Sequence, residues 1–186
     1  MSKGLDIYFQ ALNSKDDNER YNSFLELMKI TEEKVDWFET YKNELFKKLK
    51  SSNSYQRSIG TMLLCNLGKS CTRNQINEFL SDLILIIDDE KFITQRQVLQ
   101  NIWKIAIVDK DLADYLLDKL LRKFKDCINE KHYNLLRKDI VLSLNEIRKR
   151  NKIEYLEKLI EDLIMKEDDM KYRKDYTRVL MDEEKR

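Results

Sequence analysis

A chain of 186 residues with 42% hydrophobic content can bury a sizeable core as one domain, within the usual span of about 100–200 residues, and needs no covalent staple. Its three cysteines, Cys65, Cys71 and Cys127, are odd in number and scattered, which argues against a disulfide framework; with no secretory-type apolar segment in view, the expected compartment is the cytoplasm. The 35 basic and 34 acidic residues leave a formal charge of +1, so no global field draws DNA, RNA or anionic lipid, and no run approaches the roughly 18 apolar residues of a membrane span.

Proline is absent and only Gly4, Gly60 and Gly68 break the chain, so long helices meet few interruptions and an all-α fold is expected. Turns fall instead on clusters of Asn, Asp and Ser between apolar-periodic segments. At the start, Leu5, Ile7, Tyr8, Phe9 and Leu12 form a short apolar run that either partners the next helix or offers a dimer surface. Arg20 opens a helix carrying Leu27 and Ile30. Val35 to Leu49 carries Trp37, Phe38, Tyr41 and Leu45. Arg57 opens the helix of Leu64 and Leu67, and Gly68 is the expected C′ cap. Asn74 to Ile87 carries Phe79, Leu83 and Ile86. Arg96 opens the helix of Trp103 and Ala106, with Thr94 as the expected N-cap. Leu112 to Ile128 carries Leu116, Leu120 and Phe124. Arg137 opens the helix of Leu144 and Ile147, and Ile153 to Ile164 follows. A last helix over 170–181 is expected to cap the stack, within a single domain spanning 1–186.

The arginines at 20, 57, 96 and 137 recur at roughly 37- to 41-residue intervals, and the positions seven and ten residues after each are apolar. A spacing of three puts both on one helix face. Trp103 thereby takes the place of Leu27, Leu64 and Leu144, and is expected to be a packing residue. Helix pairs of this period bury their stripes by stacking on one another.

The pattern resembles HEAT-type (armadillo-like) repeats, in which an acidic turn residue commonly precedes an arginine at the start of the second helix. Asp16 or Asp17 with Arg20, and Asp88 or Asp89 with Arg96, match; the unit at Ser52 and Asn53 before Arg57 lacks the acid, and Arg137 follows a less regular stretch. The resemblance implies a right-handed superhelix of about four helix pairs, in which Arg20, Arg57, Arg96 and Arg137 stitch one unit to the turn of its neighbour. It further implies a non-enzymatic scaffold that grips a protein or peptide on the concave face of the second helices. By offset, that face comprises Ser58, Thr61 and Asn66, then Gln97, Gln100, Asn101 and Lys104, then Lys138, Asn145 and Arg148. Amides and long basic side chains there suit peptide backbone or acidic groups.

Chemical motifs are mostly excluded. The "LGKS" at Leu67 to Ser70 lacks the earlier glycine of a phosphate loop and has Leu63 in its place. His132 is the only histidine, and no C-x₂-C pair supports a zinc site, so no metal or cofactor is expected. The alternative is a nucleic-acid binder resembling the HEAT-like DNA-alkylation-repair glycosylases, built on Trp37, Trp103 and Asp139 with the basic stretches at Lys47, Arg122 and Arg148; the near-neutral charge disfavours it.

Overall fold

The computed structural model describes residues 2–181; Met1 and residues 182–186 of the expected single domain lie outside the described residues. The helices are α1 (Ser2–Ala11), α2 (Asp17–Ile30), α3 (Phe38–Leu49), α4 (Ser54–Leu67), α5 (Arg73–Leu85), α6 (Phe92–Asn101), α7 (Trp103–Ala106), α8 (Lys110–Asp126), α9 (Tyr133–Asn151), α10 (Tyr155–Met165) and α11 (Met170–Met181). Ile102, between α6 and α7, keeps helical backbone angles, so these two run as one slightly broken helix. The chain order is that of five helix pairs, one more than the repeat of arginines marks. The extra pair joins α10 to α11, which packs on both α10 and α9 and buries Tyr176 completely.

With no proline to start helices, polar side chains do so. Asp16 accepts from the backbone N–H of Asn18 and Glu19 at 2.8 and 3.1 Å. Asn53 caps α4, Thr72 forms a capping box with Gln75, and Asp109 accepts from the Leu112 N–H. Each satisfies amides that the first helical turn leaves without partners.

Two expected caps are corrected. Helix α6 begins at Phe92, not near Gln95, because Asp89 accepts the Lys91 N–H at 2.8 Å and turns the chain earlier. Thr94 is therefore buried inside the first turn, with its hydroxyl accepting from Ser58 of the preceding unit. Gly68 is not a left-handed C′ cap; its φ of −48° continues into a 3-10 turn. A β-carbon there would lie 2.7 Å from Ile105 Cδ1 and 3.3 Å from the Lys104 carbonyl, so glycine admits the approach of α7.

The second helices α2, α4, α6–α7, α9 and α11 pack side by side in sequence, while the first helices touch one another far less. Polar links bridge the first helices instead, including Lys42–Glu78 at 2.8 Å, Lys50–Asp82 at 2.9 Å and Gln75–Glu39 at 2.6 Å. A close inner row and a splayed outer row bend the stack toward the second helices. Between the rows runs a continuous core through Leu27, Leu45, Leu64, Phe79, Ile102, Leu116, Leu144 and Ile160. Burying each such side chain is worth about 1.5–3 kcal/mol. No helix among the described residues is long and apolar enough to cross a membrane.

Candidate binding face

The arginines that mark the repeat each close a contact. Arg57 meets Asp89, in the turn before α6, at 2.5 and 2.8 Å, and also donates to the Ser51 carbonyl. Arg96 meets Asp139 on α9 at 2.6 and 3.0 Å. Arg137 meets Glu167, in the turn before α11, at 3.3 Å, and stacks over the Phe124 ring at 4.6 Å. Arg20 pairs with Asp17 and donates to the Ser14 carbonyl. The acids expected to serve Arg96 thus serve the units on either side: Asp89 takes Arg57 of the preceding unit, and Asp88 takes Lys123 of the following one at 2.7 Å. A carboxylate paired across a helix boundary reads in sequence as local to the nearer arginine. Burial raises the Asp89 pKa, but Arg57 and the Lys91 N–H outweigh it and hold the carboxyl below its usual value.

Trp103 packs against the core, though less deeply than Leu27, Leu64 and Leu144. Those three are fully buried, whereas Trp103 is half-buried and the fully buried residue is its neighbour Ile102. The tenth position, Ala106, stays fully buried like Leu67 and Ile147, so the helix keeps its register and the large indole leaves part of its surface at the rim. The indole N–H donates to the Gln100 carbonyl at 3.1 Å, and two cations lie over the ring, Arg150 at 4.7 Å and Lys104 at 5.6 Å.

On α2, α4, α6–α7 and α9, accessible residues recur at intervals of three, four or seven positions and so share one face. They are Tyr21 and Leu25 on α2, Tyr55 and Met62 on α4, Ile93, Gln97, Gln100 and Lys104 on α6–α7, and Lys138 and Leu142 on α9. Tyr21, Leu25, Tyr55, Ile93 and Leu142 are exposed hydrophobic side chains, and none was picked out by sequence offset. Counting from the arginines ranks polar residues and passes over apolar ones, which read as core. Their departure from each buried stripe was the available signal.

The residues expected by offset divide into two groups. Gln97 makes no side-chain hydrogen bond among the described residues, and Lys138 has only Asp175 at 3.9 Å. Gln100 donates to Asp139 at 2.8 Å, and Asn101 donates to the Gln97 carbonyl. Lys104 donates to Asn66 and Asn101, both at 2.7 Å. Ser58, Thr61, Asn66 and Asn145, by contrast, are buried between second helices. Asn66 reaches Thr31 at 3.2 Å, and Asn145 donates to the Val179 carbonyl at 3.0 Å and accepts from Arg148. Arg148 also meets Glu157 at 3.1 Å. Asn66 and Asn145 thus satisfy neighbouring helices instead of facing water, whereas the buried Thr61 hydroxyl has no hydrogen-bond partner among the described residues.

The nucleic-acid constellation does not assemble. Trp37 lies at the start of the second helix pair, edge-on to Phe9 and Tyr41 at 5.6 and 5.7 Å. Asp139 is 1% exposed and fully engaged by Arg96 and Gln100, so it is no accessible base beside Trp103. Burial pushes the thiols of Cys65 and Cys71 up to about 12 and raises that of Cys127. No cluster of potential metal ligands occurs among the described residues.

No family model and no curated protein matches this chain. Solved structures do. An engineered protein shares 14% identity, covering 95% of this chain and 77% of its own, with a TM-score of 0.57. A designed armadillo repeat protein in complex with a (KR)4 peptide shares 16%, covering 95% and 80%, with a TM-score of 0.58. A Kap121p mutant shares 18% over 96% of this chain but only 19% of its own, with a TM-score of 0.63. The stacked pairs, the close inner row and these matches together give the chain the fold of the armadillo and HEAT-type α-solenoids.

Proposed function

We propose that the chain is a non-enzymatic scaffold that holds a protein or peptide partner along the face of its second helices. The observation that carries this reading is the row of accessible apolar side chains, Tyr21, Leu25, Tyr55 and Leu142, interleaved with the unpaired amide of Gln97 and with Lys138. Apolar side chains left exposed in a row across successive units mark interaction surfaces. Amides between them supply donors and acceptors for extended backbone. The polar groups that would serve catalysis are spent on scaffold contacts: Asp139, Asp89 and Glu167 on arginines, and the cysteines on burial. The designed armadillo protein solved with a peptide supports the same class of partner.

Within this proposal Gln97, Lys138 and Lys104 are the contact residues of the set Gln97, Gln100, Asn101, Lys104, Lys138, Asn145 and Arg148; the others act by holding the inner row in register. The test is affinity capture from cell extract with the wild-type chain and a variant carrying Tyr55→Ser, Gln97→Glu, Lys138→Glu and Leu142→Ser. The wild type retains partners that the variant loses, at equal circular dichroism. Equal recovery of every partner by both would overturn the assignment of this face.

A further inference from the structure

We propose that Lys104 and Arg150 over the Trp103 indole, together with Lys69 of the preceding unit, hold the carboxylates of an acidic peptide segment. The inference rests on the docking role proposed above and names the chemistry of the ligand at one rim of that face.

The cations come from three consecutive units, at or just beyond the C-terminal ends of α4, α7 and α9. Elsewhere in the solenoid Arg57, Arg96, Lys123 and Arg137, all buried or half-buried, each meet a carboxylate. Lys104 does not. Its ammonium sits between the amide oxygens of Asn66 and Asn101, and Lys69 reaches only the Glu32 carbonyl at 2.6 Å. No carboxylate lies within ion-pair distance of either among the described residues. Neutral acceptors orient an ammonium without cancelling its charge. Burial lowers the Lys104 pKa, and the like charges of Lys69 and Arg150 add to that effect. An incoming carboxylate relieves both.

Helix C-termini attract cations through the backbone dipole, and that accounts for basic residues at this rim. It does not account for Lys104 being drawn inward beside two like charges. Lys48 offers the contrast. It too is held by neutral oxygens, of Asn13 and Gln56, but it is 4% exposed and out of reach of a ligand, whereas Lys104 remains accessible at the face. Trp103 provides a floor for the site: Arg150 and Lys104 both lie over its ring, at 4.7 and 5.6 Å from the centroid.

The flanking groups favour a peptide over nucleic acid. Glu146 pairs with Arg150 at 3.2 Å, and the charge of Glu32 is felt at Lys104. These carboxylates interrupt the positive strip and repel a continuous phosphate backbone. They leave room for separated acidic side chains, with Met62 and Leu142 beside them for apolar ones. The sign is opposite to that required by the (KR)4 peptide of the designed armadillo protein.

The test uses the full chain carrying Trp37→Phe, so that Trp103 is the sole tryptophan reporter. It is titrated with a Glu/Ser peptide of about twelve residues, and with matched Lys/Ser and Gln/Ser peptides, inorganic phosphate and a single-stranded oligonucleotide. The Glu/Ser peptide is expected to change Trp103 fluorescence saturably and to bind about tenfold more weakly at high salt, as screened charges require. Lys104→Gln and Arg150→Gln each weaken it about fivefold or more, with Lys91→Gln as an unaffected control. Lys69→Gln, at an exposed side chain, repeats the test should Lys104→Gln fail to fold. The inference is overturned by no saturable change with the acidic peptide, by equal binding of oligonucleotide or phosphate, or by affinity indifferent to these variants. Preferred binding of the Lys/Ser or Gln/Ser peptide also overturns it but leaves the docking role standing, and that role is decided separately by the capture experiment.

Discussion

Arg96 and Asp139 join α6 to α9 through two hydrogen bonds of 2.6 and 3.0 Å, and the two ends are buried unequally, with 1% of the Asp139 side chain exposed against 27% of Arg96. Removing either end therefore has different consequences. Arg96→Ala strands a buried carboxylate with only Gln100 to satisfy it, at a cost of about 3–5 kcal/mol. Asp139→Ala frees a guanidinium that can turn to water, at about 1–3 kcal/mol. Against a total stability of roughly 5–15 kcal/mol, urea unfolding followed by circular dichroism resolves the order. Equal losses, or a larger loss for Asp139→Ala, would contradict the burial argument.

The neighbours Ile102 and Trp103 make a second comparison. Ile102 is fully buried and Trp103 is not. Ile102→Ala is expected to cost about 2–5 kcal/mol by cavity formation, while Trp103→Ala costs about 1–2 kcal/mol because part of the ring is already in water. Had Trp103 been the repeat's core residue, truncation would cost about 3–5 kcal/mol. Unfolding midpoints of the two variants, measured side by side, settle which residue faces inward.

Gly60 marks the closest crossing of α3 and α4. A β-carbon there would lie 2.9 Å from Lys48 Cβ, 3.2 Å from the Leu49 nitrogen and 3.3 Å from the Leu45 carbonyl. Alanine normally stabilises a helix interior over glycine by up to about 1 kcal/mol, but backbone atoms cannot yield as side-chain ends can. Gly60→Ala is expected to lower stability by about 1–3 kcal/mol. Thermal unfolding at or above the wild-type midpoint would count against so tight a crossing.

Tyr41 gives an alkaline signature. Its hydroxyl donates to Asp6 at 2.6 Å, and that bond, with burial and the Asp6 charge, pushes the phenol up to about 12. A phenol with a folded-state pKa above its unfolded value of about 10 contributes stability that is complete below pH ~10 and lost as pH rises through about 12. The loss of stability over that window is expected to be smaller in Tyr41→Phe than in the wild type. Identical pH–stability curves would argue that the hydrogen bond is not made.

Much of the architecture is legible in composition and period. Glycine and proline are scarce, apolar residues recur at helical spacing after four arginines, and each of the ten expected helical segments is found within a few residues. The inner face was less legible, because its residues were chosen by offset from an idealised repeat. Asn66 and Asn145 satisfy the offset yet are consumed by neighbouring helices, a distinction made by helix separation. Trp103 shows the same limit: the offset marks a position that packs on the core, and not how much of a large ring stays exposed there. The pairing of Asp89 with Arg57 spans 32 residues, so no local motif could reveal it.

The central claim, that the second helices carry the partner, is tested most directly by site-specific photocrosslinking. A benzophenone amino acid is placed at Gln97, on the inner row, and in a second protein at Asn77, an exposed position on the outer helix α5; both are irradiated in cell extract. The account predicts discrete adducts from position 97 that disappear in the background of Tyr55→Ser and Leu142→Ser, with none from position 77. Adducts from position 77 alone, or equal adducts from both, would contradict it.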